Sequence, residues 1–172
     1  MPRYVEGPDI RLTPNDVIFV DVEFYTGEKF TGVELRRMFP ITGLTKYIAL
    51  VDADDLLAPG ISMALDRALI ENVDIVHCGV SVVKGNIEHN IVSIAPKYQL
   101  MSAHNFCENY HTVETCQGPW AYLYNNEFLR SNKNAFIEGK RLEDTDWVEK
   151  NLYAAQSIMC VDDIIYIYKE NV

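Results

Sequence analysis

Three aspartates, Asp52, Asp54 and Asp55, directly follow the apolar run "KYIALV". Carboxylates this close together repel one another, and each prefers water to the end of a buried strand. A bound divalent cation would relieve that repulsion, because Mg²⁺ and Mn²⁺ prefer hard carboxylate oxygens. The structural alternative is that these residues cap a turn and begin the next helix while they stay solvated.

A second acidic pair, Glu143 and Asp144, opens the segment "EDTDWVEKNLYAAQ", which has the spacing of a helix. A carboxylate within hydrogen-bond reach of a hydroxyl group is a suitable general base. Taken alone, the pair has a simpler explanation, since acidic residues at the start of a helix interact favourably with the positive end of its dipole.

The elements that would position these acidic residues alternate between strands and helices. Apolar, β-branched and aromatic runs predict strands in "DVIFVDVEF", "KYIALVD", "VDIVHCGVSVV" and "SIMCVDDIIYIYK". Helices are predicted in "TGVELRRMF", after Pro59, around Phe106 and in "EDTDWVEKNLYAAQ". This alternation predicts an α/β sandwich with a mainly parallel sheet. Ligands gather at the carboxyl ends of strands in such sheets, and the three aspartates follow such an end.

Length, composition and charge narrow the class of protein. We expect one domain over the 172 residues, of which 48% are hydrophobic. The net charge of −10 argues against a nonspecific nucleic-acid binder, which needs Lys and Arg to neutralise phosphates. No apolar run approaches the roughly 20 residues that span a bilayer, and the N-terminus lacks the order of a secretion signal. We therefore expect a cytoplasmic protein with free thiols.

A zinc site is one alternative use of the polar residues, in the segment "HNFCENYHTVETC". Its candidate ligands are His104, Cys107, His111 and Cys116. Their spacing lacks the close CxxC pairs of common zinc fingers and ribbons, whereas the segment has the apolar spacing of an amphipathic helix. The pattern therefore favours a helix without zinc.

A phosphatase of the haloacid dehalogenase type is another alternative, because a DxD motif after a strand supplies its nucleophile and acid. That motif has Thr or Val two residues after its second aspartate, where this chain has Leu56. Asp162 and Asp163 resemble the late acidic pair of that family, but no convincing lysine element stands between the two regions. The pattern therefore disfavours this chemistry.

An ordered set of motifs covers residues 46–169, and it is specific as a set. "YIALVDADDLLAPG" contains a DxD motif, and "ENVDIVHCG" and "GPWAYLYNNEFL" follow it. The segment "FIEGKRLEDTDWVEKNLYAAQSIMCVDDIIYIYK" then matches the pattern "f.EG..fED..f...ll..a..i..id..lY.Y" nearly throughout. Together these motifs resemble the family 2 glycosyltransferases of the bacterial polysaccharide type. The resemblance implies a GT-A-like three-layer α/β sandwich with a mainly parallel central sheet, abbreviated at its N-terminal end.

The resemblance also implies a role for each acidic residue of the donor site. Asp54 would bind the metal ion directly, Asp52 would orient the donor ribose or a metal-bound water, and Asp55 would support the loop. Arg36 corresponds to the arginine of the family's "RN.G" stretch, and Asp21 could stand at the acidic end of a nucleotide-binding strand.

The acceptor side follows from the same resemblance. The family places its general base in the "ED" pair, so Asp144 is the expected base and Glu143 the second candidate. Trp120 would stack on the acceptor sugar, although a tryptophan at this position could equally belong to the core.

The implied activity is metal-dependent, inverting transfer of a sugar from a nucleotide-sugar donor, most simply a UDP-sugar, to a glycan or lipid-linked acceptor. Mn²⁺ or Mg²⁺ would be the cofactor, because the leaving diphosphate is highly charged. The implied process is surface polysaccharide synthesis, in the cytoplasm or at the inner face of the membrane.

The front of the chain departs from the family pattern. Residues 1–45 are shorter than the two βα units that hold the donor base and ribose in the family, and Phe39 replaces the glycine of "RN.G". A shortened front would expose a sheet edge that a second copy of the chain could cover. The alternative function is therefore a non-catalytic glycosyltransferase-like module that acts in binding or assembly.

Overall fold

The computed structural model describes residues 18–21, 46–52, 55–112, 118–134 and 142–170. The strands in these ranges are β1 (Ile18–Asp21), β2 (Tyr47–Val51), β3 (Leu56–Leu57), β4 (Ile75–Lys84), β5 (Ile87–Ile91), β6 (Leu100–Ser102), β7 (Tyr122–Asn125) and β8 (Ser157–Lys169). The helices are α1 (Ile61–Glu71), α2 (Ala103–Asn109), α3 (Asn126–Asn132) and α4 (Glu143–Ala154), with a 3₁₀ turn at Pro119–Ala121. In this part of the chain, no helix is both long and apolar enough to cross a bilayer. The helix predicted in "TGVELRRMF" lies outside the described residues.

The described strands form one sheet with helices packed on it, so the α/β prediction is confirmed. Neighbours follow the order β1, β2, β7, β4, β8, β3, while β5 pairs with β4 and β6 with β8. Only β1 with β2 and β4 with β8 are parallel pairs among these strands, and the other pairs are antiparallel. The prediction of a mainly parallel sheet is therefore wrong, because the sheet is mixed.

One antiparallel pair of the mixed sheet is explained by a short connection, whereas the pairs made by β3 and β7 join segments that are distant in the chain. Parallel neighbours need a crossover of about a dozen residues or more, whereas antiparallel neighbours can follow a tight turn. β4 and β5 are joined by such a turn at residues 85–86, where Gly85 adopts a φ of 58°. The residues "KGN" are typical of a turn, and the structure has the hairpin turn there.

The centre of the core is formed by β4 and β8. β4 is buried at every position from Ile75 to Val82, and β8 is buried from Ile158 to Val161. Both segments are predicted as strands from their apolar, β-branched and aromatic residues. The structure confirms both strands.

Helix α1 follows the first acidic segment and lies against β8. A Cβ added at Gly60 would stand 2.4 Å from the carbonyl oxygen of Ile164, so the chain enters the helix at a position where no larger residue fits. At the other end of the helix, the buried Tyr47 hydroxyl donates to the carbonyl oxygens of Ala68 and Val73, at 2.8 and 2.7 Å. These contacts fix α1 between β2 and β8.

Helix α4 carries the second acidic segment toward the same edge of the sheet. Its last turn leads into β8, which begins beside the start of β4, since Ile158 pairs with Ile75. That is the edge opposite the end of β2, because Ile75 also pairs with Tyr124, the partner of Ile48 near the start of β2. The first turn of α4 therefore points toward the edge where β2 ends, and α4 packs there against the 3₁₀ turn.

Candidate functional site

The acidic turn, residues 52–55, leaves the carboxyl end of β2 and crosses the edge of the sheet. The backbone N–H of Asp55 donates to the carbonyl oxygen of Asp52 at 3.2 Å, which holds the two ends of the turn together. The chain then enters β3, where Leu57 pairs with Tyr166 of β8. Since β3 is the neighbour of β8 in the sheet, the acidic turn links β2 to a strand that is paired with β8.

The hydroxyl group of Tyr166 holds both ends of the acidic turn. It donates to Oδ2 of Asp55 at 2.7 Å and accepts from the backbone N–H of Asp52 at 3.1 Å. The Tyr166 side chain is fully buried. Burial, followed by the hydrogen bond to Asp55, raises the pKa of Tyr166 well above its usual range, so this hydroxyl stays a neutral donor.

The carboxylate of Asp55 anchors the turn to β8. Besides the bond from Tyr166, its Oδ1 accepts from the backbone N–H of Lys169 at 2.8 Å. Asp55 is buried, and a buried carboxylate needs such partners. Because Asp55 is buried and both of its oxygens accept bonds from β8, it is suited to holding the turn in place, whereas Asp52 is half-buried at its start.

The side chain of Trp120 lies beside the acidic turn and contacts Tyr166. Its ring is parallel to the Tyr166 ring, with centroids 4.8 Å apart and an interplanar angle of 8°, and to the Tyr168 ring at 5.5 Å and 9°. Trp120 lies in the 3₁₀ turn that leads into β7, the strand paired with β2. Trp120 is half-buried, so it belongs to the margin of the core.

The acidic pair at the start of α4 lies at the same edge of the sheet. Leu142 precedes the helix with a left-handed φ of 60° and supplies no side-chain cap. Oδ1 of Asp144 accepts from the backbone N–H of Thr145 at 2.8 Å, and the residue is half-buried. One turn further on, Trp147 is buried in edge-to-face contact with Tyr124 at 5.0 Å, which fixes the helix on the sheet.

The remaining predicted site residues are only partly described. Asp21 ends β1 and pairs in register with Val51, so its backbone lies at the same edge as the acidic turn. Asp54 and Arg36 lie outside the described residues, and so does the side chain of Glu143. The structure thus joins Asp52, Asp55 and Trp120 by contacts through one tyrosine, and it places Asp144 in the first turn of α4.

Tyr166 is a site residue that the sequence motifs do not reveal, because a tyrosine within an apolar strand segment is typical of core packing. The alternation in "IIYIYK" does place Tyr166 and Tyr168 on one face of β8, as their shared contact with Trp120 confirms. The missing signal was the pairing of β3 with β8, which brings Asp55 to Tyr166 across 111 positions of sequence.

A metal ion at the acidic turn would depend on Asp52 and Asp54, since the carboxylate oxygens of Asp55 are used by Tyr166 and Lys169. Mg²⁺ commonly binds one or two carboxylates together with phosphate oxygens and waters, so two aspartates fit its chemistry. Within the described ranges, no group of three or more His, Cys, Asp or Glu is arranged to hold a metal ion.

The segment considered for zinc forms helix α2 as predicted, with Phe106 buried. Nε2 of His104 lies 3.2 Å from Oε1 of Glu108 on the exposed side of the helix. Cys107 is a free thiol, and Cys116 lies outside the described residues.

A cavity of about 410 Å³ opens at the opposite edge of the sheet. Its lining includes Asp74 before β4, Asn125 at the end of β7 and Glu127 in α3. None of the predicted site residues lines it, so this cavity is separate from the acidic turn.

Comparisons with known proteins find structural similarity. No protein-family model matches the chain, and no curated protein matches it. Residues 1–349 of TarS from S. aureus, a glycosyltransferase, are 18% identical in a complex with UDP, with a TM-score of 0.61, covering 80% of this chain and 40% of that one. The same region in complex with UDP-GlcNAc is 17% identical, with a TM-score of 0.57, covering 74% and 36%.

A longer TarS structure is 17% identical, with a TM-score of 0.58, and covers 80% of this chain and 24% of that one. The chain therefore spans two fifths or less of the length of these TarS structures. At this level of identity the similarity shows a common fold and nothing finer. The chain has an α/β fold with a mixed sheet that it shares with a glycosyltransferase.

Proposed function

We propose that this chain is a glycosyltransferase of the GT-A, family 2 type, which transfers a sugar from a UDP-sugar to a glycan or lipid-linked acceptor. The observation that carries the proposal is the acidic turn at the end of β2, held beside Trp120 through Tyr166. It gains support from the fold shared with TarS, which has been crystallised with UDP and with UDP-GlcNAc.

The acidic turn would serve the diphosphate of the donor. When bound, Mg²⁺ or Mn²⁺ would neutralise the charge that develops on the leaving diphosphate. Asp54 would bind the cation, and Asp52 would orient the ribose or a water on the cation. Asp55 would keep both in place through its hydrogen bonds to β8. Arg36 and Asp21 would complete the donor side.

The acceptor would lie between the acidic turn and the start of α4. Asp144 would take the proton of the attacking hydroxyl, with Glu143 as the second candidate, and attack opposite the leaving group would give inversion. The exposed part of Trp120 would contact the acceptor sugar, because an aromatic face suits the apolar face of a pyranose. The proposal includes a role in surface polysaccharide synthesis at the inner face of the membrane. It also includes the pairing of two copies of the chain, which would cover an exposed sheet edge.

Isothermal titration of UDP with and without Mn²⁺ tests this function. The native chain should bind UDP only with Mn²⁺, and Asp54→Ala should lose that binding. Asp66→Ala is the matched control, since Asp66 is exposed on α1 and should leave binding unchanged. Absence of UDP binding by the native chain would contradict the proposal in favour of the non-catalytic module. Release of phosphate from phosphomonoesters would favour the phosphatase.

A further inference from the structure

The donor and acceptor parts of the proposed site share one buried side chain, that of Tyr166. Its hydroxyl contacts the residue before and the residue after the two central positions of the acidic turn, Asp52 at 3.1 Å and Asp55 at 2.7 Å. Its ring lies flat against Trp120, 4.8 Å between centroids. A movement at either part must therefore be accommodated by the same side chain.

Satisfying a buried hydroxyl group would need only one partner, so this arrangement does more than bury a tyrosine. The hydroxyl accepts from a backbone N–H that leaves β2 and donates to a carboxylate that leads into β3. The carboxylate is held in turn by the backbone of Lys169, three residues after Tyr166 in the same strand. The acidic turn is thus anchored to β8 at two points, the Tyr166 hydroxyl and the backbone N–H of Lys169.

Tyr168 offers an internal comparison on the same strand. Its ring also lies parallel to Trp120, at 5.5 Å, and it is more exposed than Tyr166. The bonds that tie the turn to β8 at Asp52 and Asp55 come from Tyr166 and Lys169. The two tyrosines therefore share the aromatic contact and differ in the contact with the acidic turn.

We propose that Tyr166 is a positioning residue that couples occupation of the acidic turn by a diphosphate and its cation to the placement of Trp120. This inference rests on the proposed function, since it assigns the turn to the donor. Binding at the turn would select one arrangement of Asp52 and Asp55. The hydrogen bonds of the Tyr166 hydroxyl would then fix the position of the Tyr166 ring, against which Trp120 packs. Trp120 would therefore be in position for the acceptor when the donor is bound.

The two tryptophans of the chain make this coupling observable. Protein labelled with 5-fluorotryptophan should give two ¹⁹F resonances, and Trp120→Phe assigns them. UDP with Mg²⁺, which is diamagnetic, should shift the Trp120 resonance of the native chain. In Tyr166→Phe, which keeps the ring, the affinity for UDP should fall by about tenfold and the Trp120 shift at saturation should fall to less than about half.

Two further variants separate positioning from a merely structural role. Tyr168→Phe should keep both the affinity for UDP and the Trp120 shift. Asp55→Asn removes a charge from the same contact without changing either aromatic ring, and it should act in the same direction as Tyr166→Phe. The Trp147 resonance reports whether α4 remains packed in each variant, because Trp147 is buried against Tyr124.

The outcomes distinguish this inference from the proposed function. If the native chain binds UDP and the Trp120 resonance does not move, the coupling is absent and the inference is wrong, whatever the variants do. The same holds if Tyr166→Phe and Asp55→Asn keep the native affinity and shift. Failure of the native chain to bind UDP would contradict the proposed function itself, and this inference with it.

Discussion

Gly118 lies directly against the indole ring of Trp120. A Cβ added at Gly118 would stand 2.5 Å from Nε1 and 2.7 Å from Cε2 of that ring. The ring cannot move away freely, because it lies in parallel contact with the rings of Tyr166 and Tyr168. The absence of a side chain at Gly118 therefore sets the position of Trp120 beside the acidic turn.

Gly118→Ala should accordingly lower the free energy of unfolding by about 1–3 kcal/mol, because overpacking forces neighbouring groups to shift. Urea unfolding at pH 7 measures this change. In a Trp120→Phe background, where the ring is smaller, the same substitution should cost less by more than about 0.5 kcal/mol. Equal costs in the two backgrounds would mean that the alanine strains the backbone and leaves the indole ring undisturbed.

We predict that the folded chain loses stability at high pH because of the buried hydroxyl group of Tyr47. Burial raises its pKa to about 12 from 10.0, and the neutral hydroxyl donates to Ala68 and Val73. The unfolded chain loses this proton first, so the native chain holds more protons between these two pH values and its stability falls as pH rises. The contribution is complete below pH 10 and lost as pH passes about 12.

Tyr47→Phe isolates this contribution from that of other groups. At pH 7 the variant should be less stable by about 1 kcal/mol, because two carbonyl oxygens lose a donor. The difference from the native chain should narrow steadily between pH 10 and 12, as urea titrations at each pH would report. A difference that is constant with pH would show that the Tyr47 proton is bound equally in the two states.

Much of this fold could be predicted from local pattern. The apolar runs of β4 and β8, the Lys84-Gly85-Asn86 turn and the helix that begins at Glu143 are all where the sequence indicated. Each of these elements is decided by residues close together in the chain. The direction of the strands was not predictable in this way, because the antiparallel positions of β3 and β7 depend on contacts between distant segments.

In the candidate site, too, some features are predictable from the local sequence and others depend on contacts between distant segments. The acidic residues after an apolar run singled out Asp52 and Asp55, and the resemblance to family 2 glycosyltransferases singled out Trp120 and Asp144. The link between the first three is Tyr166, and it exists because Leu57 pairs with Tyr166 in the sheet. Register between distant strands is set by the whole core, so this hydrogen bond could not be inferred from the residues that flank it.

Asp144 and Asp146 lie two residues apart in the first turns of α4, and they provide a test of the proposed base. Oδ2 of Asp146 lies 2.6 Å from Nζ of Lys150, an ion pair along the exposed side of the helix. Both carboxylates share the favourable end of the helix dipole. A substitution that acts only through the helix should therefore affect both positions alike, whereas loss of a general base should affect Asp144 alone.

Asp144→Asn should reduce the rate of sugar transfer by about 10²–10⁴-fold, because the amide cannot accept the proton of the acceptor hydroxyl. Transfer can be followed as UDP released from a panel of UDP-sugars with free and lipid-linked glycans. UDP binding with Mn²⁺ should remain unchanged in this variant, since the acidic turn is intact. Asp146→Asn should keep the native rate, and Glu143→Gln should distinguish the second candidate. Equal loss of activity in Asp144→Asn and Asp146→Asn would assign the effect to the helix and remove Asp144 as the base.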